Sequence, residues 1–278
     1  MDLIVARNRE DLVKARRAGT VALVPTMGAL HEGHMSLIRQ ARVRADQVVV
    51  SVFVNPLQFT PNEDFSRYPR TFDADLDACR TEGVDVVFHP AAEDMYALDR
   101  QVGISSGEMG ARVEGVFRPG HFDGVLTVVL KLFNLVRPDL AVFGQKDAQQ
   151  LALIRRMVTD LDLPIEILGV PTVREPDGLA LSSRNRYLSE DDRRVALALS
   201  RALRTGAAQF TAATIRAAAQ EVLDAAGPDL GVDYLALVDP ATFTEVGDDF
   251  GGVAVLAVAA RVGGTRLIDN VTLTLNPA

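Results

Sequence analysis

Short, almost wholly apolar runs alternate along this chain with segments of helical period, and few folds accept that grammar. The runs are Thr20–Pro25, Gln47–Val54, Val84–His89, Leu140–Gly144 and Ile165–Val170; between them lie His34–Ala45, Asp73–Glu82, Phe122–Val136 and Ala148–Asp160. A half-exposed strand alternates apolar with polar residues, whereas these runs are apolar at successive positions, so helices must cover both faces of their sheet. Strand, helix, strand in repeated order makes the strands parallel. Residues 1–171 are therefore expected to form a Rossmann-like, doubly wound α/β domain.

Beyond Pro171 the pattern changes. An irregular polar stretch from Thr172 to Ser189 precedes an alanine-rich region in which Ser189 and Thr211 are placed to cap two helices. Ile215, Val222, Leu223 and Ala226 share one face of the second, and Gly227-Pro228 ends it. Three strands follow, Val232–Val238, Val253–Arg261 and Thr265–Leu275, with a hairpin at Gly263-Gly264. Residues 172–278 read as a smaller C-terminal α+β domain.

With 278 residues and 48% hydrophobic side chains the chain can bury a full core. Its 29 basic and 37 acidic residues leave a net charge of −8, which opposes a long electrostatic footprint on nucleic acid or on an anionic membrane. Charges interrupt the N-terminus before an apolar stretch of signal-peptide length accumulates, and apolar runs such as Val48 to Val54 fall far short of the roughly 20 residues that span a bilayer. The single cysteine, Cys79, makes neither an internal disulfide nor a cysteine-based zinc site. A cytoplasmic protein without nucleic-acid or membrane partners is expected.

Three motifs stand where an open α/β sheet binds ligands, outside the carboxyl ends of strands. Pro25-Thr26-Met27-Gly28-Ala29-Leu30-His31-Glu32-Gly33-His34 leaves the first run through a turn and enters a helix, whose first N–H groups favour an anion. Its two imidazoles, three residues apart, lie near each other, and Gly33 lets a flat ring approach the backbone. The alternative is a pair of polar helix-start residues that merely hydrogen-bond nearby carbonyls; the spacing does not match a zinc hydrolase, which needs histidines four apart.

Phe143-Gly144-Gln145-Lys146-Asp147-Ala148-Gln149-Gln150 likewise joins a strand to a helix, and Lys146 is one of three lysines, with Lys14 and Lys131. An ammonium is a compact charge suited to phosphate, although a solvated lysine has the same residue type; Asp147 suits a helix N-cap or a ribose hydroxyl. Leu181-Ser182-Ser183-Arg184-Asn185-Arg186-Tyr187 offers short donors and a cation for phosphate oxygens, or simply a Ser-capped turn. Asp73, Asp75 and Asp77 form an acidic cluster, but carboxylates two apart on a helix diverge, so a solvated helix start is expected and no metal ligand is assigned there. His89 and His121 are expected to be structural.

In order along the chain, these motifs, with Val52-Phe53-Val54-Asn55-Pro56-Leu57-Gln58-Phe59, Tyr68-Pro69-Arg70-Thr71 and the closing Thr265-Arg266-Leu267-Ile268-Asp269-Asn270, resemble the pantothenate synthetase family of the nucleotidylyltransferases. Gln145 and Ala74 stand where many members are acidic. The resemblance implies an ATP-dependent ligase that joins pantoate to β-alanine through an acyl adenylate, with Mg2+ on the pyrophosphate, acting as a homodimer. It implies catalytic roles for His31, His34, Lys146, Ser182, Ser183 and Arg184. ATP would meet Met27, Gly33, His34, Gly144, Lys146, Asp147, Val173, Ser182, Ser183 and Arg184, and pantoate would meet Pro25, Met27, Gln58 and Gln150. No protein ligand for the metal is assigned. The smaller domain would act as a lid, since the Ser182–Arg186 segment needs closure to reach the phosphates. Competing classes are another nucleotidylyltransferase, which would want a second cationic cluster for a phosphorylated acceptor; a zinc hydrolase; and a nucleotide sensor.

Overall fold

The computed structural model describes residues 2–60, 63 and 65–276. Strands β1 (Ile4–Ala6), β2 (Val21–Thr26), β3 (Gln47–Val52), β4 (Val86–Phe88), β5 (Leu140–Gly144) and β6 (Glu166–Val170) form one sheet in the order β1-β4-β3-β2-β5-β6. Every pairing in it is parallel. From β2 the chain moves outward through β3 and β4, then returns to the opposite flank of β2 for β5 and β6. The loops leaving β2 and β5 therefore diverge from neighbouring strand ends, the switch point at which doubly wound sheets hold ligands.

The helices of this region are α1 (Arg9–Ala15), α2 (Glu32–Arg44), α3 (Phe72–Thr81), α4 (Ala92–Met95), α5 (Gly107–Gly110), α6 (Glu114–Phe117), α7 (His121–Val136) and α8 (Ala148–Asp160). All six residues of β3 are buried. Alternate strand residues Ala22, Val24, Val48 and Val50 pack with Ile38 and Ala41 of α2 and with Leu76 and Cys79 of α3, while α7 lies against β2. Apolar runs without alternation follow from this two-sided covering.

The backbone divides into two compact units. Unit 1 comprises Met1–Gly107, Arg118–Gln145 and Leu153–Pro171; unit 2 comprises Glu108–Phe117, Lys146–Ala152 and Thr172–Ala278. Grouping by contact thus adds two short segments, one carrying Lys146, to the C-terminal residues. In unit 2, β7 (Leu230–Val238), β8 (Gly252–Val262) and β9 (Thr265–Leu275) form an antiparallel sheet in that order. Helices α9 (Glu190–Ala207) and α10 (Ala212–Asp224) carry the expected Ser189 and Thr211 caps, and Ile215, Leu199 and Leu203 are buried with Leu256 and Val258. Gly206 permits close helix packing, since a Cβ there would stand 2.9 Å from the Ile215 carbonyl oxygen. Among the described residues no helix is long and apolar enough to cross a membrane.

Three expectations need correction. The second apolar run ends as a strand at Val52, not Val54: Val52 pairs with Thr26, the last residue of β2, and the Phe53 amide closes that pairing on the Thr26 carbonyl before the exit loop. The helix expected from His34 begins at Glu32, with His31 as its cap. The polar stretch after Pro171 is ordered by pairing between Arg174 and Ala180 and by a 3-10 turn over Ser183–Tyr187.

Cys79 is fully buried, and burial together with nearby Asp75 pushes its thiol up to about 12. Because the thiolate is the reactive form, the folded protein should show no fast thiol titration at pH 8, with one thiol appearing on urea denaturation; fast native labelling would contradict this packing.

Candidate active site

The β2 exit loop is bent by two successive left-handed residues, Gly28 (φ 84°) and Ala29 (φ 50°). Glycine is required at the first, where a Cβ would meet Asp75 Oδ2 at 2.9 Å and Val52 Cγ1 at 3.0 Å. At Ala29 the left-handed conformation costs about 1–2 kcal/mol. Asp75 offsets it: the Ala29 and Leu30 amides donate to its two carboxylate oxygens at 3.0 and 2.8 Å, and the Thr71 hydroxyl donates at 3.2 Å. Asp73 and Asp77 are exposed as a solvated helix start requires, but Asp75 is 3% exposed and serves as a buried internal anion. Phe72, Asp75, Leu76 and Cys79 follow the spacing of one helical face, which is the sequence pattern that could have placed Asp75 inward.

The bend delivers the chain to the start of α2, where the two histidines cap each other's backbone. Gly33 N–H donates to His31 Nδ1 at 3.2 Å, and His31 N–H donates to His34 Nδ1 at 3.3 Å. Their ring centroids are 4.1 Å apart. An Nδ1 that accepts carries no hydrogen, so both neutral rings hold their N–H at Nε2. The His34 amide is also taken, by the His31 carbonyl at 2.7 Å. Backbone amides were expected to face an anion here; those of Gly33 and His34 are instead taken by His31, and each ring presents an Nε2–H donor.

Met27 and Gln58 are brought into contact, Gln58 Nε2 lying 3.1 Å from Met27 Sδ, and Pro25 occupies the part-exposed end of β2. Gln58 closes a 3-10 turn, Pro56–Gln58, whose orientation is set by α7. Asn55 donates to Gln58 Oε1 and to the Gly124 carbonyl, both at 3.1 Å, and accepts from the Tyr96 hydroxyl at 2.8 Å. A Cβ at Gly124 would stand 2.1 Å from the Leu57 oxygen, so only glycine admits the turn this close. His121 Nδ1 donates to the Gln58 carbonyl at 2.7 Å, and its Nε2 accepts from Arg118 at 3.0 Å. Burial opposes ionisation of Glu63, but its hydrogen bonds to Arg118 hold its carboxyl below the usual range. The structural role expected of His121 is thus support of Gln58, while His89 stacks on Phe72 and bonds the Val52 carbonyl.

Gly144 ends β5 with open space where a Cβ would lie. Asp147 precedes α8, its carbonyl accepting from Leu151 at 2.9 Å. The two glutamines divide: Gln149 is buried and spans the Met109 and Arg112 carbonyls and the Glu114 amide, whereas Gln150 is half-buried. In the later motif Ser182 Oγ accepts from the Arg184 amide at 3.3 Å and so starts the 3-10 turn. Asn185 secures that turn by donating to Glu175 Oε1 at 2.6 Å and to the Ala180 carbonyl at 3.0 Å. Val173 opens the preceding hairpin, its carbonyl accepting from Leu181 at 3.0 Å. Unit 1 therefore carries Pro25, Met27, His31, Gly33, His34, Gln58 and Gly144, and unit 2 carries Lys146, Asp147, Gln150, Val173, Ser182, Ser183 and Arg184.

Removing a partner from a buried N–H costs about 1–3 kcal/mol. Asp75→Ala orphans two, and should lower the unfolding free energy in urea by at least about 2 kcal/mol. Asp77→Ala, at an exposed pair with Arg80, should change it by about 0.5 kcal/mol or less. Equal effects would contradict the role given to Asp75.

Comparison with known proteins finds relatives over nearly the whole chain. The sequence profile described as pantoate-beta-alanine ligase matches residues 4–272. A pantothenate synthetase from Thermobifida fusca (strain YX) is 62% identical, the match covering 98% of this chain and 96% of that protein. The crystal structure of pantothenate synthetase from Thermus thermophilus superposes with a TM-score of 0.92 at 46% identity, covering 96% of this chain and 98% of the other. A pantoate-beta-alanine ligase from Francisella tularensis, complexed with beta-gamma ATP and beta-alanine, gives a TM-score of 0.80 at 34% identity and 97% coverage of both chains. Motif order, sheet order and full-length identity converge: the chain belongs to the pantoate–β-alanine ligase family.

Proposed function

We propose that the chain condenses pantoate with β-alanine in two steps driven by ATP. A pantoate carboxylate oxygen attacks the α-phosphorus, the bond from that phosphorus to the bridging oxygen breaks, and pyrophosphate leaves. The β-alanine amine then attacks the acyl carbon of the adenylate; AMP departs with the former carboxylate oxygen, and the nitrogen loses a proton to give the amide. Carboxylates acylate poorly, and adenylation supplies the leaving group.

The observation that carries this reading is the reciprocal histidine cap at the β2 exit, which leaves an Nε2–H donor on each ring; in this reading those donors meet the charge that develops on a phosphate. Phosphoryl transfer needs positioning and charge stabilisation more than a protein nucleophile. In this reading His31 and His34 bind the nucleotide phosphates, and Lys146, Ser182, Ser183 and Arg184 hold the phosphate oxygens. Gly144 and Asp147 take the ribose, and the Val173 backbone takes the adenine. Gln58 and Gln150 offer donors and acceptors to the hydroxyl and carboxylate groups of pantoate, with Pro25 and Met27 as apolar wall for its methyl groups. ATP and β-alanine as ligands are supported by the Francisella tularensis complex.

Among the described residues no group of three or more His, Cys, Asp or Glu side chains is gathered as a metal site. In this reading magnesium is held mainly by phosphate oxygens and water, as this small hard cation is at other nucleotide sites. When bound, the ion neutralises charge on the departing pyrophosphate.

With pantoate and magnesium present and β-alanine omitted, labelled pyrophosphate should exchange into ATP. Lys146→Ala should slow the exchange by about 10²–10³-fold, the usual cost of losing one charge-stabilising donor. Exchange independent of pantoate, or its absence in a folded, ATP-binding protein, would contradict the stepwise reaction.

A further inference from the structure

The closing motif Thr265-Arg266-Leu267-Ile268-Asp269-Asn270 lies on β9, and the reaction assigns it no contact with substrate. Among its buried polar groups are Asp269 at 3% and Asn270 at 7% exposure. Buried polar side chains persist where they bond something specific, and these two bond the two segments proposed to hold the triphosphate. Asn270 Nδ2 donates to the Lys146 carbonyl at 2.7 Å. Asp269 takes a two-point ion pair from Arg174, at 2.7 and 3.0 Å, while Arg174 also donates to the Asn270 carbonyl at 3.3 Å and the Gly178 carbonyl at 3.1 Å.

Arg174 belongs to the hairpin that leads into the Ser182–Arg184 turn, and Asn185 locks that turn back onto the same hairpin through Glu175 and Ala180. Successive side chains of a strand leave opposite faces, so one dipeptide of β9 grips the Lys146 turn with one residue and the serine-arginine hairpin with the other. Lys146 is a charge on a flexible stem; where that charge can reach is decided by where its backbone is pinned. All these groups lie in unit 2.

We propose that Asn270 is a positioning residue for ATP: by pinning the Lys146 backbone to β9, beside the Asp269–Arg174 anchor of the Ser182–Arg184 turn, it fixes the lysine and the serine-arginine donors in one register. The proposal rests on the reading of Lys146 as a phosphate ligand.

A double-mutant cycle tests it, with pantoate-dependent pyrophosphate exchange as the readout. Asn270→Ala should slow exchange about tenfold or more, as a small misplacement of a catalytic group does, and raise the KM for ATP while the KM for pantoate stays within twofold. In the Lys146→Ala background the same change should cost less than twofold, because the residue it positions is gone. Asn270→Asp keeps the shape and replaces the donor by an acceptor; it should reproduce the defect with a circular dichroism spectrum like that of the parent, and it stands in if the alanine variant fails to fold. Equal losses in both backgrounds, a parallel rise in both KM values, or an unchanged rate in Asn270→Asp would overturn the proposal with Lys146 still at the phosphates. A silent Lys146→Ala would overturn the underlying reading, and the proposal with it.

Discussion

A buried carboxylate holds the β2 exit loop in a conformation that the chain would not otherwise keep. Ala29 sits at φ 50° beside Gly28 at φ 84°, and the bend turns the Ala29 and Leu30 amides to one side, forming a small concavity for an anion. Asp75 fills it from α3. Everything downstream inherits that bend. It sets the direction in which α2 begins, and hence where His31 and His34 stand relative to the carboxyl ends of β2 and β5. Strain of this kind clusters at functional sites because surrounding structure can over-determine it, and here the surrounding structure is a single side chain with two strong acceptors.

The same logic recurs at each segment of the candidate site: a backbone group is fixed by a buried side chain from a neighbouring element, and the residue proposed to touch substrate is left to extend from it. His121 and Gly124 of α7 fix the Gln58 turn by a hydrogen bond and by the lack of a Cβ. Gln149 binds the start of α8 to the Met109–Glu114 segment. Glu114 is in turn held by Arg266 at 2.9 Å and by the Tyr234 hydroxyl at 3.1 Å, in a pocket whose burial, reinforced by the Glu114 charge, raises the Tyr234 phenol well above its ordinary range. Precise placement by a rigid supporting layer is what electrostatic catalysis requires, since donors that must reorganise lose much of their effect.

Much of this was legible in the sequence, because its strongest signals are periodic. Runs apolar on both faces announced the parallel sheet, and β9 and α8 fall where patterning placed them. β1 was missed because three residues, paired only to a three-residue β4, are too short to show a period. The supporting residues were missed for a different reason. Asp75, Gln149 and Asn270 are polar, and pattern reading sends isolated polar residues to the surface; His121 was expected to be structural, but the residue it supports was not legible. Asp75 does share the helical face of Leu76 and Cys79, and His121 that of Gly124, Val125 and Val128, but a polar residue within an apolar stripe reveals only that it is buried. Its partners, 46 residues away for the Asp75–Ala29 bond, exist only once the sheet has formed. The histidine pair illustrates the limit most clearly: rings bonded to nearby carbonyls and rings at a phosphate were weighed as alternatives, whereas both rings accept from backbone amides and the cap is the means by which they are oriented.

The central claim is that the fold, before any ligand arrives, fixes both imidazoles as Nε2–H donors. The 15N chemical shifts of His31 and His34 in the ligand-free protein at neutral pH report this directly, because protonated and unprotonated ring nitrogens resonate far apart. Both histidines should show an unprotonated Nδ1 and a protonated Nε2. A protonated Nδ1 on either ring, or averaging between tautomers, would mean that the backbone does not orient the pair, and the account of how this site is built would fail.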